Sequence, residues 1–418
     1  MNSMLGGIFL LGMIQTASPV AESASPDWVT WWMAGALAIS VIALLISLRN
    51  LSRFRRAPAA MDPDDQGWSI TVCIPARNEA ANLETCVRSA LESADADPAS
   101  STTIMVYDDA SDDQTPAILA KLAEDDCRVV GASVNPLPSG WNGKQHACDR
   151  MGRQADTDWL LFTDADVRFA PDCLKRTRAA VQAQRGVNGD IGLLSAFPRE
   201  RTGTVGETLV VPLIHFILMS YLPIGRMRSS LDPAASAACG QFVLARRDAW
   251  LDVGGHAVIR NSMHDGVRLP RIFRRAGHAT DIFDGTDIVD CRMYHGFAET
   301  WRGFAKNSYE GLGNIFLLLL LTVLHLGGHV APWFVLGLAL VLEGVGPETS
   351  GVSAAAVGFA SAAVIIQITQ RMCLAVRFQQ AWTGVVLHPA ALMVFTLLQW
   401  WSLLLHFTGR RTWRGRPG

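Results

Sequence analysis

The sequence is short of charge, and unevenly so. Only 18% of its 418 residues are Asp, Glu, Lys or Arg, while half are apolar. That balance is unusual for a chain that lives wholly in water. Most of the charge lies between residues 50 and 310, and residues 313–408 carry very little. A basic excess is also missing: the formal net charge is −2, without the basic face of a nucleic-acid binder. Nucleic acid is therefore excluded as a partner. The eight cysteines form no Cys-x-x-Cys pair and no zinc-type spacing with histidine. Scattered single cysteines of this kind are buried and reduced, which fits the cytoplasm. No internal repeat is present.

What is there reads as a soluble domain set between membrane segments. Residues 1–27 hold a short apolar stretch with no Lys or Arg before it. A secretory leader normally has a basic start, so a cleaved leader is the minority reading and an interfacial or re-entrant piece stands beside it. Trp28–Leu48 is uncharged and long enough to span a bilayer. Trp28, Trp31 and Trp32 mark one end, as interfacial aromatics do, and Arg49, Arg53, Arg55 and Arg56 mark the other. The positive-inside rule then brings the chain out in the cytoplasm. Residues 49–67 include the Pro/Asp-rich linker Ala57–Gly67. Residues 311–408 hold about four apolar segments, near 312–328, 330–345, 352–370 and 385–407, broken at Gly327-Gly328 and Gly344–Gly351. One span before and four after put the domain and the basic tail (409–418, with Arg410, Arg411, Arg414 and Arg416) on the same cytoplasmic side of the inner membrane. Arg371 and Arg377 would then lie outside, against the rule.

Residues 68–310 alternate strand and helix patterns. Ser69–Pro75, Thr102–Tyr107, Val129–Ser133 and Trp159–Thr163 are short β-branched or apolar runs. Helical spacing follows the first two, with Leu83, Val87, Ala90 and Leu91 on one face, and then Thr115–Leu122. Alternation of this kind predicts an α/β fold with a mostly parallel sheet. Polar residues stand just past the strand ends, where open sheets bind ligands. After the fourth strand come Asp164 and Asp166, one residue apart. Two hard oxygen ligands in a short turn suit Mg²⁺ or Mn²⁺, and a capped turn is the bland alternative. Lys144 follows a Pro/Gly loop and opens a helix, placed for a phosphate or merely a surface turn. Asp265 precedes the helix Val267–Ala276, as an N-cap or as a base at the mouth of a cleft. Gly240 allows close backbone approach, to a ligand or to packing. Glu207–Arg226 is very apolar but holds Pro212 and Pro223. It reads as a helix in the membrane interface near the acceptor, or as a buried core helix.

Pro75-Ala-Arg-Asn-Glu79, Asp108-Asp109-Ala-Ser-Asp112, Thr163-Asp-Ala-Asp166 and an acidic residue before Arg-Arg-Ala-Gly277 come in an order and spacing that resembles the family-2 glycosyltransferases of GT-A fold. The resemblance covers about residues 68–310. The loop Leu137–Lys144 and the segment Trp301–Gly311 look like the membrane-bound subgroup of hopanoid-associated and carotenoid (diaponeurosporenoate-type) enzymes. The resemblance implies that Pro75, Ala76, Asn78 and Glu79 line a nucleotide pocket. It implies that Asp109, with Asp108, holds base or ribose, and that Lys144 and Asp164 lie at the donor. Asp166, with Asp164, would hold the metal, and Asp265 would be the base of an inverting transfer from a nucleotide-sugar donor, UDP before GDP. Two departures stand out. His264 replaces an acidic residue usual before the base, and no Gln/Arg-x-x-Arg-Trp motif of processive synthases follows. The expectation is single transfer to a membrane lipid acceptor. A polysaccharide or soluble acceptor, a nucleotidyltransferase and a non-catalytic membrane scaffold are the alternatives. The first strand ends in Pro-Ala-Arg-Asn-Glu rather than a Gly-rich phosphate loop, which tells against the nucleotidyltransferase.

Overall fold

The computed structural model describes residues 27–59, 67–132, 135–184, 189–345 and 352–409, with 412–413 and 416–417. The apolar segment before Asp27, most of the Ala57–Gly67 linker, residues 346–351 of the expected break, Arg410, Arg411 and Arg414 lie outside them. The domain is built on one sheet of eight strands: β1 (Ser69–Ala76), β2 (Ser101–Asp108), β3 (Val129–Gly131), β4 (Trp159–Thr163), β5 (Val167–Phe169), β6 (Ile191–Glu200), β7 (Phe242–Arg246) and β8 (Ala279–Cys291). Their order is β3-β2-β1-β4-β7-β6-β8-β5. β1 pairs in parallel with β2 and β4. Seven of its residues in a row are buried, since both sheet faces are covered. Leu83, Cys86, Val87 and Ala90 seal one face from the helix Leu83–Asp95. Ala147, Cys148 and Met151, from the helix Gly143–Gln154, seal the other beside the buried Trp250.

The sheet is wholly parallel only in this first half. β7 runs antiparallel to β4 and β6, and β5 antiparallel to β8, while β6 and β8 pair in parallel. The sheet is mostly parallel as expected, in four of its seven pairings, and the three antiparallel ones make it mixed. The cause is β7, which enters beside β4 from the opposite direction after a long excursion. β5 and β6 have no counterpart in the strand expectations, and β3 ends at Gly131.

That excursion is Glu207–Arg226, and it is not one helix. Pro212 and Pro223 divide it into Val205–Val210, Leu213–Tyr221 and Ile224–Ser229, because proline lacks the N–H that would continue each turn. Val210, Leu213, Phe216 and Met219 are buried between Phe197 and Ile282 of the sheet and Leu374, Leu392 and Phe395 of the apolar helices.

Among the described residues four helices are long and apolar enough to cross a membrane: Trp28–Arg53, Ile315–Leu342, Ala354–Arg377 and His388–Thr408, called the first to fourth spans below. Three follow the domain where about four were expected. The segments 312–328 and 330–345 are joined through a π-helical stretch, Val323–Val330. Gly327-Gly328 does not break the helix; a Cβ at Gly328 would come 2.9 Å from Ile39, so glycine admits the first span. Polar side chains set the register between spans, as they do where apolar surface gives no preference. Gln367 Nε2 donates to Ser40 Oγ (3.0 Å), and Gln370 Nε2 donates to Ser47 Oγ (2.7 Å).

The joined helix changes the place of two arginines. The third span runs back toward the domain, and Arg377 pairs with Asp284 of β8 at 2.8 Å. Arg371 is buried near Gly384 and Gln380. Both lie by the domain, not on the far side as expected. The fourth span lies along Val205–Val210, Phe297–Ala305 and Ser308–Leu312, and its last turn sets His406 5.2 Å from Tyr309.

Candidate active site

Four parallel strand ends and one far loop converge on a cleft of about 760 Å³. At the end of β1, Pro75, Arg77 and Glu79 line it. Ala76 is wholly buried and pairs in register with Asp108, so it shapes the strand end from within. Asn78 has a left-handed backbone, φ 55°, which asparagine tolerates better than most residues. Its Oδ1 accepts the N–H of Asp112 (2.9 Å), and its own N–H goes to Ser111 Oγ (2.9 Å). Asn78 thereby stitches the loop after β1 to the loop after β2. Asp108 caps that second loop by accepting the N–H of Ser111 at 3.2 Å. Asp109 is buried, with a carboxylate oxygen 4.0 Å from Arg77. Of this group, the cleft wall takes Pro75 and Glu79 directly, while Ala76, Asn78, Asp108 and Asp109 stand behind it.

Lys144 lies at the centre. Asn142 caps its helix by accepting the Lys144 N–H at 2.9 Å, which fixes the first turn. The amine then reaches Asp164 Oδ1 at 2.7 Å, Asp265 Oδ2 at 3.0 Å and the Gly240 carbonyl at 3.1 Å. The lysine and both carboxylates, far apart in sequence, meet within one ion cluster. Burial works against a charged amine, but the two carboxylates outweigh it and hold Lys144 protonated. Burial likewise works against the Asp265 carboxylate, but Lys144 outweighs that and holds its pKa down at about 2. Asp265 begins the helix Asp265–Arg275 rather than capping it; His264 is the cap residue. The close approach at Gly240 is to Asp265, whose Oδ1 would lie 2.4 Å from a Cβ there.

Asp166 behaves differently. Burial, then Asp164 and Glu79, push its pKa up to about 7, and its Oδ1 is enclosed without a partner. Glu200, at the end of β6, also lines the cleft. Burial, with Asp166 nearby, pushes it well above the usual range, and its Oε2 has no partner. Acidic oxygens crowded together and left unsatisfied fit a hard divalent cation. Among the described residues no group of three His, Cys, Asp or Glu side chains is set to hold a metal alone. That suits Mg²⁺ or Mn²⁺, which take remaining ligands from water and substrate phosphates.

The other end of the cleft is apolar. Ile214, Met293, Trp301, Trp401 and Leu405 line it, with Arg302 and Lys306. Trp401 and Leu405 belong to the fourth span. Glu200, Gln241, Arg302, Lys306 and Trp401 escaped the sequence reading. Only the Arg302–Lys306 spacing, one helical turn, offered a signal.

Comparison with known proteins bears on this geometry. The family described as Glycosyl transferase family 2 matches residues 71–250. A 4,4'-diaponeurosporenoate glycosyltransferase of Staphylococcus aureus strain MRSA252 is 27% identical over 361 residues, covering 83% of this chain and 88% of the relative. A protein of the same name from strain USA300 is 27% identical over 281 residues, covering 66% and 70%. The mannosyltransferase PcManGT of Pyrobaculum calidifontis, solved in complex with GDP-Man and Mn²⁺, superposes with a TM-score of 0.54. It is 18% identical, covering 89% of this chain and 99% of that one, a likeness of fold. On these grounds the chain is a glycosyltransferase, carrying a family 2 domain on a GT-A sheet.

Proposed function

We propose that the protein moves a hexosyl group from a nucleotide diphosphate donor, UDP before GDP, to a lipid-type acceptor in the membrane. The transfer is inverting, one sugar at a time. The observation that carries this reading is the continuity of the cleft. It begins at Glu79, Asp164 and Asp166 and ends at Trp401 and Leu405 of the fourth span, where an apolar acceptor would enter without leaving the bilayer. The name of the Staphylococcus aureus relatives, 4,4'-diaponeurosporenoate glycosyltransferase, agrees with such an acceptor.

In this reading the loops after β1 and β2 seat the nucleotide through Pro75, Ala76, Asn78, Glu79, Asp108 and Asp109. Asp166 and Asp164 would hold Mn²⁺ or Mg²⁺, which would neutralise charge on the leaving diphosphate. The acceptor oxygen attacks the anomeric carbon from the face opposite the diphosphate, so a single displacement inverts the centre. Asp265, kept ionised by Lys144, takes the proton of an attacking hydroxyl. The bond to the diphosphate breaks, and the nucleoside diphosphate leaves with the electron pair. The catalytic domain faces the cytoplasm at the inner membrane, the side on which Arg49, Arg53, Arg55 and Arg56 follow the first span.

The test is transfer by membranes carrying the protein, given Mn²⁺ and a panel of radiolabelled nucleotide sugars. Label in the organic-extractable lipid from one donor, absent with Asp166→Ala and Asp265→Asn, is the expected outcome. Label in a soluble or polymeric product would overturn the lipid acceptor, and no label with host lipids supplied would overturn transfer to lipid altogether.

A further inference from the structure

The segment Trp301–Gly311 joins the domain to the second span, and a connector has no need of a buried carboxylate. Glu310 is one, at 8% exposure. Its Oε1 accepts the Ser262 hydroxyl at 2.7 Å, and its Oε2 accepts the N–H of Met263 at 3.2 Å. Arg268 Nε lies 3.4 Å from Oε1. Ser262 Oγ in turn accepts the N–H of His264 at 3.0 Å. One carboxylate and one hydroxyl thus tie down the three residues that run into Asp265. The ring of His264 packs on Gly311, where a Cβ would come within 2.9 Å, so the loop rests directly on this segment.

The residue beside Glu310 looks the other way. Tyr309 donates its N–H to Ser402 Oγ of the fourth span at 3.0 Å, and its ring lies 5.2 Å from His406. Adjacent residues therefore grip the loop before Asp265 and the helix that supplies Trp401 and Leu405 to the cleft. A buried carboxylate is stable only when paired and hydrogen-bonded, so the whole arrangement stands or falls together.

We propose that Glu310 is a positioning residue: it holds Ser262–His264 so that Asp265 faces the cleft, and it registers that loop against the membrane helix beside which the acceptor binds. This rests on the reading of Asp265 as the group that receives the acceptor's proton.

The experiment uses the full chain in membranes and compares Glu310→Ala, Glu310→Gln, Asp265→Asn and the double variant Glu310→Ala/Asp265→Asn. Binding of UDP or GDP with Mn²⁺ reports that each variant is folded. A displacement of the order of an ångström at a reacting group costs about 10²-fold. Glu310→Ala is therefore expected to lower kcat by about 30- to 100-fold, with the donor KM within about twofold of the parent. Glu310→Gln keeps one acceptor oxygen for Ser262 and is expected to recover most of that loss. The double variant should be no slower than Asp265→Asn, because residues acting through one group do not add. Kcat for Glu310→Ala within about threefold of the parent would overturn the proposal. So would a matching loss of nucleotide binding, or fully multiplicative losses in the double variant. If the parent turned over no nucleotide sugar, the underlying reading would fall and this one with it. Normal turnover by both parent and Glu310→Ala would sink this inference alone.

Discussion

The two ends of the cleft are built by opposite means. The polar end, proposed for the donor, rises from β1 and β4, neighbours in the sheet, and from the end of β6, and its polar groups come from those strand ends and the loops directly past them, with the loop after β2 standing behind. The apolar end, proposed for the acceptor, is gathered from the end of β8, the Leu213–Tyr221 helix, the Phe297–Ala305 helix and the fourth span, separated by up to about two hundred residues. The donor end is acidic and leaves oxygens unsatisfied at Asp166 and Glu200. The acceptor end offers indole and aliphatic surface with Arg302 and Lys306 beside it. One end is therefore specified by local chain geometry and charge, the other by packing between distant helices. Substitutions at the first should strike chemistry, and those at the second acceptor capture and stability.

The largest effect belongs to the donor end. Asp166→Ala should lower transfer by about 10⁴-fold, the several kcal/mol a bound cation contributes at about 1.4 kcal/mol per tenfold. Chelation should abolish label in the parent enzyme and Mn²⁺ should restore it; activity that survives exhaustive chelation would remove the cation from this end. Next, Asp265→Asn should lower kcat by about 10³-fold with nucleotide binding intact, the usual scale of a lost general base. A change in KM alone would move Asp265 out of the chemistry. At the acceptor end, Trp401→Ala should raise the acceptor KM by about tenfold, on the scale of one large apolar contact of about 1.5–3 kcal/mol. Its rate of nucleotide-sugar hydrolysis should match the parent, and a fall in hydrolysis instead would blur the distinction between the ends.

A separate effect is on stability rather than transfer and reads out with pH. Glu207, in the first turn of the helix Val205–Val210 that Thr204 caps, accepts the N–H groups of Gly203 and Gly296 and pairs with Arg292. Burial works against its charge, but Arg292 and these donors outweigh that and lower its pKa from 4.5 to about 2. A lowered carboxylate contributes stability that is complete above the ordinary value and lost as pH falls through the lowered one. That is about 3 kcal/mol at neutral pH by linkage. Thermal melts of the parent should therefore drop between about pH 4.5 and pH 2, and those of Glu207→Gln should change less over that window. Parallel melting curves for the two would show that this carboxylate is not coupled to protonation.

The same contrast explains what could be read from the chain beforehand. β1, β2 and β4, the Leu83 and Thr115 helices and the carboxylates past them were legible because each is a local pattern of apolar period and turn residues. The meeting of Lys144, Asp164 and Asp265 was not, since it depends on β7 entering antiparallel so that Gly240 lies under Asp265. Glu200 ends an unforeseen strand and Glu310 sits in a connector; neither has a sequence pattern of its own. Pro212 and Pro223 did announce breaks, whereas Gly327-Gly328 misled. Glycine within a long apolar helix permits close approach as readily as it ends a turn.

The pairing of the first and third spans has a consequence in time. Ser40 finds Gln367 and Ser47 finds Gln370 across more than three hundred residues of chain. At about 5–20 residues per second of synthesis, the first helix is complete some tens of seconds before its partner exists. Through that interval the Ser40 and Ser47 hydroxyls lack the Gln367 and Gln370 amides they meet in the finished protein. The nascent chain, more than the mature one, is thus the stage at which a defect in this seam would be recognised and cleared.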